Sequence, residues 1–282
     1  MFSYSPLLIP YQKGASMGSP KQKAIDRKIM ELLSGISLQA AKWLMQDKEI
    51  QYLQDYANTV SIKRLHYNDH GQVHMRKVAL NSLLLAELLH QANIVFNLEA
   101  ENMGSYEDSK TAILIASFLH DVGMAVGREN HEHTGVMLAM PIIERLLNTL
   151  YETSLEKKVI MRALVTECIV GHMGTQKIHS IEAGIILIAD GCDMEQGRAR
   201  IPLMIDTESK VGDIHKYSSS AVQNVEIEKG VKKPIKITVN MTESVGFFQV
   251  EEVLFKKINS SPIRVYIELY AGVLGQKLKC YL

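Results

Sequence analysis

The chain lacks most of the features that announce a specialised class. Only three cysteines, Cys168, Cys192 and Cys280, occur in 282 residues. Their scatter provides neither a disulfide framework nor a CxxC zinc site, so a reducing, cytoplasmic setting is expected. No run reaches the roughly 18 to 20 continuous apolar residues that a membrane span needs. Charge of neither sign is in excess, since 31 basic residues balance 31 acidic ones. That balance argues against a protein built to coat long nucleic acid or an anionic membrane. The short apolar run at 7–10 has no basic region before it, so no signal peptide is expected. Internal repeats and low-complexity tracts are missing as well.

What is there is an ordinary globular composition, 46% hydrophobic and 22% charged. It suits one large domain, alone or with a small appendage, whose core needs no disulfide or structural metal. The unusual count is ten histidines.

Residues 1–20 read as a loose arm, and residues 21–205 as a mainly helical domain. Ile29, Leu33, Ile36, Ala40 and Leu44 recur at helical spacing, as do Val78, Leu85 and Leu89. The stretch 111–119 is apolar on nearly every side, which suits a helix buried inside a bundle. Thr153 and Glu156 have capping-box spacing and predict a helix running to Gly171. Ser180 is placed to cap another, from 181 to about 193, whereas the polar segment 97–110 reads as a connecting loop. Beyond Asp193 the texture changes. Residues 195–220, with Gly197, Pro202, Gly212 and a serine run, read as irregular. Alternation at Val225 and Ile227, then at Ile235, Ile237, Val239 and Met241, predicts an antiparallel pair. Phe247, Val250, Leu254 and Ile258 mark a short amphipathic helix, with Glu252 and Lys256 spaced to pair on its wet side. Val265, Ile267 and Leu269 suggest one more strand. The expected architecture is thus a helical bundle with a β-β-α-β subdomain over 206–282, a mainly α chain.

A lone His120-Asp121 dipeptide is weak by itself; its company is what matters. His74 opens one helical segment, and His120-Asp121 ends the apolar one. His131 opens His131-Glu-His133-Thr-Gly135, His172 closes a helix, and Asp190 ends the apolar run 185–189. A bare carboxylate facing a bundle interior costs several kcal/mol unless it is paired or bound to metal. One ion that collects imidazoles and carboxylates from several helices resolves every case together. Such donors without thiolate suit Mn, Fe, Zn or Mg.

These residues resemble the HD-domain metal-dependent phosphohydrolases, whose order H…HD…H…H…D is filled by His74, His120-Asp121, His131, His172 and Asp190. The resemblance spans about residues 66–205. The stretch 189–202 together with the tail looks more narrowly like a prokaryotic, archaeal-type branch with a C-terminal α+β appendage. The resemblance implies one metal on His74, His120, Asp121 and Asp190, and a second on His131 and His172 with Asp121 bridging. His133 is the alternative to His131; the His-Glu-x-x-Gly register favours His131. His70 and His74 resemble the His-x-x-x-His of cyclic-nucleotide phosphodiesterases, in which the first histidine protonates the leaving oxygen. A histidine is suited to that acid role, and Asp69 is a candidate to orient it; against this, Gly71 makes the segment a loop and His70 an exposed loop residue. Arg198 and Arg200, whose guanidinium forks match phosphate oxygens, and His215 are candidate substrate contacts. The alternative for each is a solvated loop residue. Arg128 reads as the partner of Glu129 in a loop ion pair. His66, His90 and His179 read as surface or capping residues.

Some departures narrow the substrate. No Gly-Tyr-Pro motif is present, and Met124 stands where the cyclic-di-GMP hydrolase subgroup has lysine. Nor does the sequence context match the alarmone hydrolases or the large dNTP triphosphohydrolases. The implied activity is hydrolysis of a phosphomonoester or phosphodiester of a nucleotide or small metabolite, by a homo-oligomer with two divalent ions. Two alternatives stay open: an HD-type di-iron oxygenase, which shares the ligand pattern, and a non-catalytic nucleotide sensor.

Overall fold

The computed structural model describes residues 18–195 and 214–282. Helices α1 (Pro20–Glu31), α2 (Gly35–Gln46) and α3 (Lys48–Thr59) lead into a π turn, Val60–Arg64. They are followed by α4 (Gln72–Gln91), the short α5 (Asn97–Ala100) and α6 (Tyr106–Leu119). A 3-10 turn, Val122–Ala125, then precedes α7 (His131–Leu150), α8 (Leu155–Gly171) and α9 (Ile181–Cys192). Helix α6 is the axis of the bundle: every residue from 108 to 119 is buried, and α2, α4, α8 and α9 pack around it. Each fully buried Ile, Leu or Phe there stabilises the fold by about 1.5–3 kcal/mol.

Local signals set the helix ends. Ser19 and Gln22 form a reciprocal capping box at α1. Ser180 caps α9 by accepting the Ala183 amide. The α8 cap is Ser154, which accepts the Lys157 amide, rather than Thr153. The expected loop 97–110 instead holds α5 and the first turn of α6. Ser105 and Asp108 form a capping box there, a Ser-x-x-Asp signal hidden among polar residues. Within 195–220, helix α10 (Ile214–Ser220) closes a segment expected to be irregular.

The C-terminal part carries β1 (Val222–Lys229), β2 (Ile235–Met241), β3 (Ile267–Val273) and β4 (Lys279–Cys280) in one sheet of that order. The β1–β2 pair is antiparallel as expected. Strands β2 and β3 are parallel, joined by α11 (Phe247–Gln249), a π turn (Val250–Leu254) and α12 (Phe255–Ser260). Parallel neighbours need such a crossover. Ile235, Ile237 and Val239 align with Ile267, Leu269 and Ala271, all fully buried. Lys256 pairs with Glu252 on the wet side of the crossover. Two details differ from expectation: Val265 lies exposed in a 3-10 turn, Pro262–Tyr266, and β4 adds a short antiparallel edge.

The sheet unit docks on the bundle along α9. A Cβ on Gly184 would stand 2.7 Å from Ser261 Oγ, and one on Gly191 would stand 3.1 Å from Lys257 Cδ. The two glycines let the crossover approach the helix backbone closely. Among the described residues, no helix is long and apolar enough to cross a membrane.

Candidate metal centre

Helix α4 starts at Gln72, so His74 sits in its first turn and is buried. His120 is the residue at which α6 ends, and Asp121 begins the 3-10 turn. His131 is the first residue of α7, and His172 caps the end of α8. Asp190 lies in the last turn of α9. Six elements, five α-helices and the 3-10 turn, therefore aim their ends at one point in the interior. Close backbone packing fixes two of them: a Cβ on Gly123 would fall 1.9 Å from the His131 carbonyl oxygen. Glycine there lets the turn after Asp121 seat directly against the start of α7.

Two donor groups share Asp121. His74, His120, Asp121 and Asp190 form one, and Asp121, His131 and His172 the other; in each, the ligand atoms lie within 4.8 Å of one another. Asp121 Oδ2 lies 3.1 Å from His74 Nε2 and 3.3 Å from His120 Nε2. Its Oδ1 lies 3.0 Å from His131 Nε2 and 3.2 Å from His172 Nε2. Asp190 Oδ1 is 3.3 Å from His74 Nε2 and 3.8 Å from His120 Nε2.

The rings are held from behind. The Nδ1 atoms of His120, His131 and His172 sit 3.0, 2.8 and 2.6 Å from the carbonyl oxygens of Ser117, Arg128 and Ile169. His74 Nδ1 lies 2.7 Å from Asp193 Oδ2. A carbonyl can only accept, so Nδ1 carries a hydrogen in the first three rings, and in the neutral form of each Nε2 is left with a lone pair. Yet His74 Nε2 and His120 Nε2 are 3.1 Å apart, and so are His131 Nε2 and His172 Nε2. Lone pairs facing each other across that distance repel, and a cation between them turns the repulsion into ligation. Carbonyls and a carboxylate fixing the rear nitrogen are the usual support of a metal-binding histidine. The donor set therefore fits a divalent metal.

Electrostatics agree. Burial alone would push the Asp121 carboxyl up, but the surrounding His120, His70 and His131 outweigh it and hold the group well below the ordinary range. At Asp190 burial is likewise outweighed, first by the Lys257 charge and then by His120 and His74. Burial takes His172 down to about 4, so its ring is neutral near pH 7. His120 is held above its ordinary value because Asp121 and Asp190 outweigh its burial. Both carboxylates are thus charged and at least one imidazole is free to coordinate.

His70 lies in the loop before α4, yet it is buried, not exposed. Its Nε2 points at the centre, 4.0 Å from Asp121 Oδ2. Its Nδ1 is 2.6 Å from the Asn68 carbonyl oxygen and 2.8 Å from Ser61 Oγ, and these orient the ring. Asp69, expected in that role, accepts the Gly71 amide through Oδ1. His133 is half-exposed on the outer face of α7 beside Gln176, so the structure brings His131, not His133, to the centre. Arg128 lies over the Tyr67 ring instead of pairing with Glu129. Arg198 and Arg200 lie outside the described residues; His215 falls on the backbone of α10, and its side chain is also outside them. His66, His90 and His179 are exposed as expected.

Two residues at the centre, Asp193 and Lys257, were missed from sequence. Asp193 backs His74 and is itself 3.4 Å from Lys77 Nζ. Lys77 also pairs with Glu195. Lys257, from α12, pairs with Asp190 Oδ2 and donates to the His172 carbonyl at 2.9 Å. Asp193 stands three residues after Asp190, a spacing that places both on one side of a helix end and was available as a signal. Nothing local connects Lys257 to the site.

Fold and site together define a class: helical proteins with a buried histidine–aspartate centre, completed by a small mixed sheet. Within that class, the chain is 35% identical over 253 residues to the uncharacterized protein MJ1020 of Methanocaldococcus jannaschii, covering 90% of this chain and 95% of the relative. It belongs to the same family as that archaeal protein. No family model and no solved structure matches the chain.

Proposed function

We propose that the chain is a two-metal phosphohydrolase of the HD-domain type, acting on a phosphomonoester or phosphodiester of a nucleotide or small metabolite. The observation that carries this reading is Asp121, whose two oxygens face two separate sets of imidazole nitrogens. A carboxylate so placed is suited to bridge a pair of divalent ions such as Mn, Fe, Mg or Zn. When bound, such a pair supplies Lewis acidity toward phosphoryl oxygens and an acidified water.

The chain's own residues supply the rest. His74, His120 and Asp190 hold one position, and His131 and His172 hold the other. Asp193 and the three carbonyls fix the rings, which leaves little reorganisation for the reaction. His70 is the proton carrier. Its Nδ1 is committed to the Asn68 carbonyl, so Nε2 is the nitrogen that bears or releases a proton toward the centre. The six residues in the order of the HD pattern support the same reading. Arg198, Arg200 and His215 remain candidates for the substrate's outer contacts.

The test is metal analysis of the purified protein, then a phosphate-release screen over aryl phosphates, phosphodiesters and nucleotides. His120→Ala and Asp121→Ala should lose metal and activity together; retention of both would refute the reading. Turnover that requires oxygen and iron, and is absent with Mn under anaerobic conditions, would assign the centre to oxygenase chemistry instead.

A further inference from the structure

The loop before His70, the turn before His131 and the residue after His172 meet at one side chain, Arg128. Its guanidinium carbon lies 5.9 Å from the centroid of the Tyr67 ring, and Tyr67 is three residues before His70. One of its terminal nitrogens lies 3.8 Å from Met173 Sδ, and Met173 follows His172. The main-chain carbonyl of Arg128 accepts the Nδ1–H of His131. One half-buried guanidinium therefore touches the chain beside two of the centre's histidines, and its own backbone holds a third.

Arginines in this fold are used in two ways, on carboxylates or on tyrosine rings, and the exposed Arg64 over Tyr56 is of the second kind. Arg76, Arg145 and Arg162 each pair with a carboxylate: Asp26, Asp47 with Glu49, and Glu144. Among the described residues, Arg128 has no carboxylate within ion-pair distance. A guanidinium carries five N–H donors, and a thioether plus a ring face leaves most of them unused. Stacking on Tyr67 still fixes the plane of the fork, which reduces the ordering cost when an anion arrives.

We propose that Arg128 is a substrate-binding residue, whose fork takes phosphoryl oxygens of a phosphoester held at the His131–His172 side of the centre. The proposal rests on the phosphohydrolase reading. It gives the net-neutral chain a positive group beside the segments that carry His70 and His172. Tyr67 acts as the platform that aims it.

Inorganic phosphate is the probe, titrated calorimetrically into the full-length, Mn-loaded protein, with metal content measured on the same samples. Arg128→Gln should leave the Mn content at the wild-type level and weaken phosphate binding by roughly 10- to 100-fold, the scale of a lost charged hydrogen-bond pair. Arg128→Lys keeps the charge but not the fork and should show a smaller loss. Tyr67→Ala should weaken phosphate binding by less than Arg128→Gln. If Arg128→Gln does not fold, Arg128→Lys and Tyr67→Ala carry the comparison. Wild-type phosphate affinity in the folded variants overturns the proposal, and so does a Mn-loaded wild type that binds no phosphate. A wild-type protein that binds no Mn is a different result: it refutes the phosphohydrolase reading, and this assignment falls with it.

Discussion

His131 and His172 point their Nε2 atoms at each other across 3.1 Å, while each ring presents Nδ1 to a main-chain carbonyl. Burial keeps His172 neutral well below pH 7, with a value of about 4. A divalent cation between the two nitrogens would take a lone pair from each ring. Metal should accordingly stabilise the fold. With free metal at 100 times its Kd, the gain is about 2.7 kcal/mol, read as a rise of several degrees in the thermal midpoint. Chelator-treated protein should show this rise on adding Mn, and Asp121→Asn should not. An unshifted midpoint for the wild type would count against the site.

His70 approaches the centre without belonging to either donor group. His70→Ala should therefore keep its metal and lose turnover, by about 10²- to 10⁴-fold for a lost general acid. Metal content and kcat measured on one preparation check this. Loss of metal would make His70 a ligand.

Lys257 and Asp190 are both largely buried, so removing one partner leaves the other's charge uncompensated. Lys257→Met should destabilise the metal-free protein by about 3 kcal/mol or more, seen as a lower urea midpoint. Adding Mn should recover part of the loss, because the cation then balances Asp190. Equal midpoints for variant and wild type without metal would show the pair to be structurally idle.

Glu182, in the first turn of α9, is fully buried; its Oε1 accepts from Ser109 Oγ at 2.7 Å, and its Oε2 has no hydrogen-bond partner. Burial raises its carboxyl above the unfolded value of 4.5, with the Ser109 hydrogen bond only partly opposing it. The folded state then binds the extra proton, so the contribution of this group to stability is fully present below pH 4.5 and is lost as pH rises through the folded value. Glu182→Gln resembles the protonated form and should remove that fall. Denaturation midpoints across pH 4 to 8 should run flatter for the variant; parallel curves would disprove the assignment.

Periodicity and caps carry far in this chain. The buried face of α6, the Ser180 cap and the β1–β2 alternation are local properties, readable because a helix or strand repeats at a fixed interval. The segment 97–110 departs from its expected loop for a related reason: its polar composition hides a capping box at Ser105 and Asp108. The donor residues were legible because histidines and aspartates at the ends of apolar helices are awkward without a shared partner. Between His131 and His133, two residues apart and so on different sides of the helix, the resemblance in register favours His131, and the close approach of Gly123 to the start of α7 seats that residue at the centre.

The sequence by itself determined a neutral, mainly helical chain with six candidate donors and a β-rich tail, because composition, spacing and capping act over a few residues. Tertiary structure decided what those donors are to one another. It turned Asp121 toward two sets of imidazoles, buried a loop histidine beside them, and brought Lys257 of the tail onto Asp190. Those relationships join residues far apart in the chain, and close packing across glycines in the turn and in α9 is what brings them within a few ångströms.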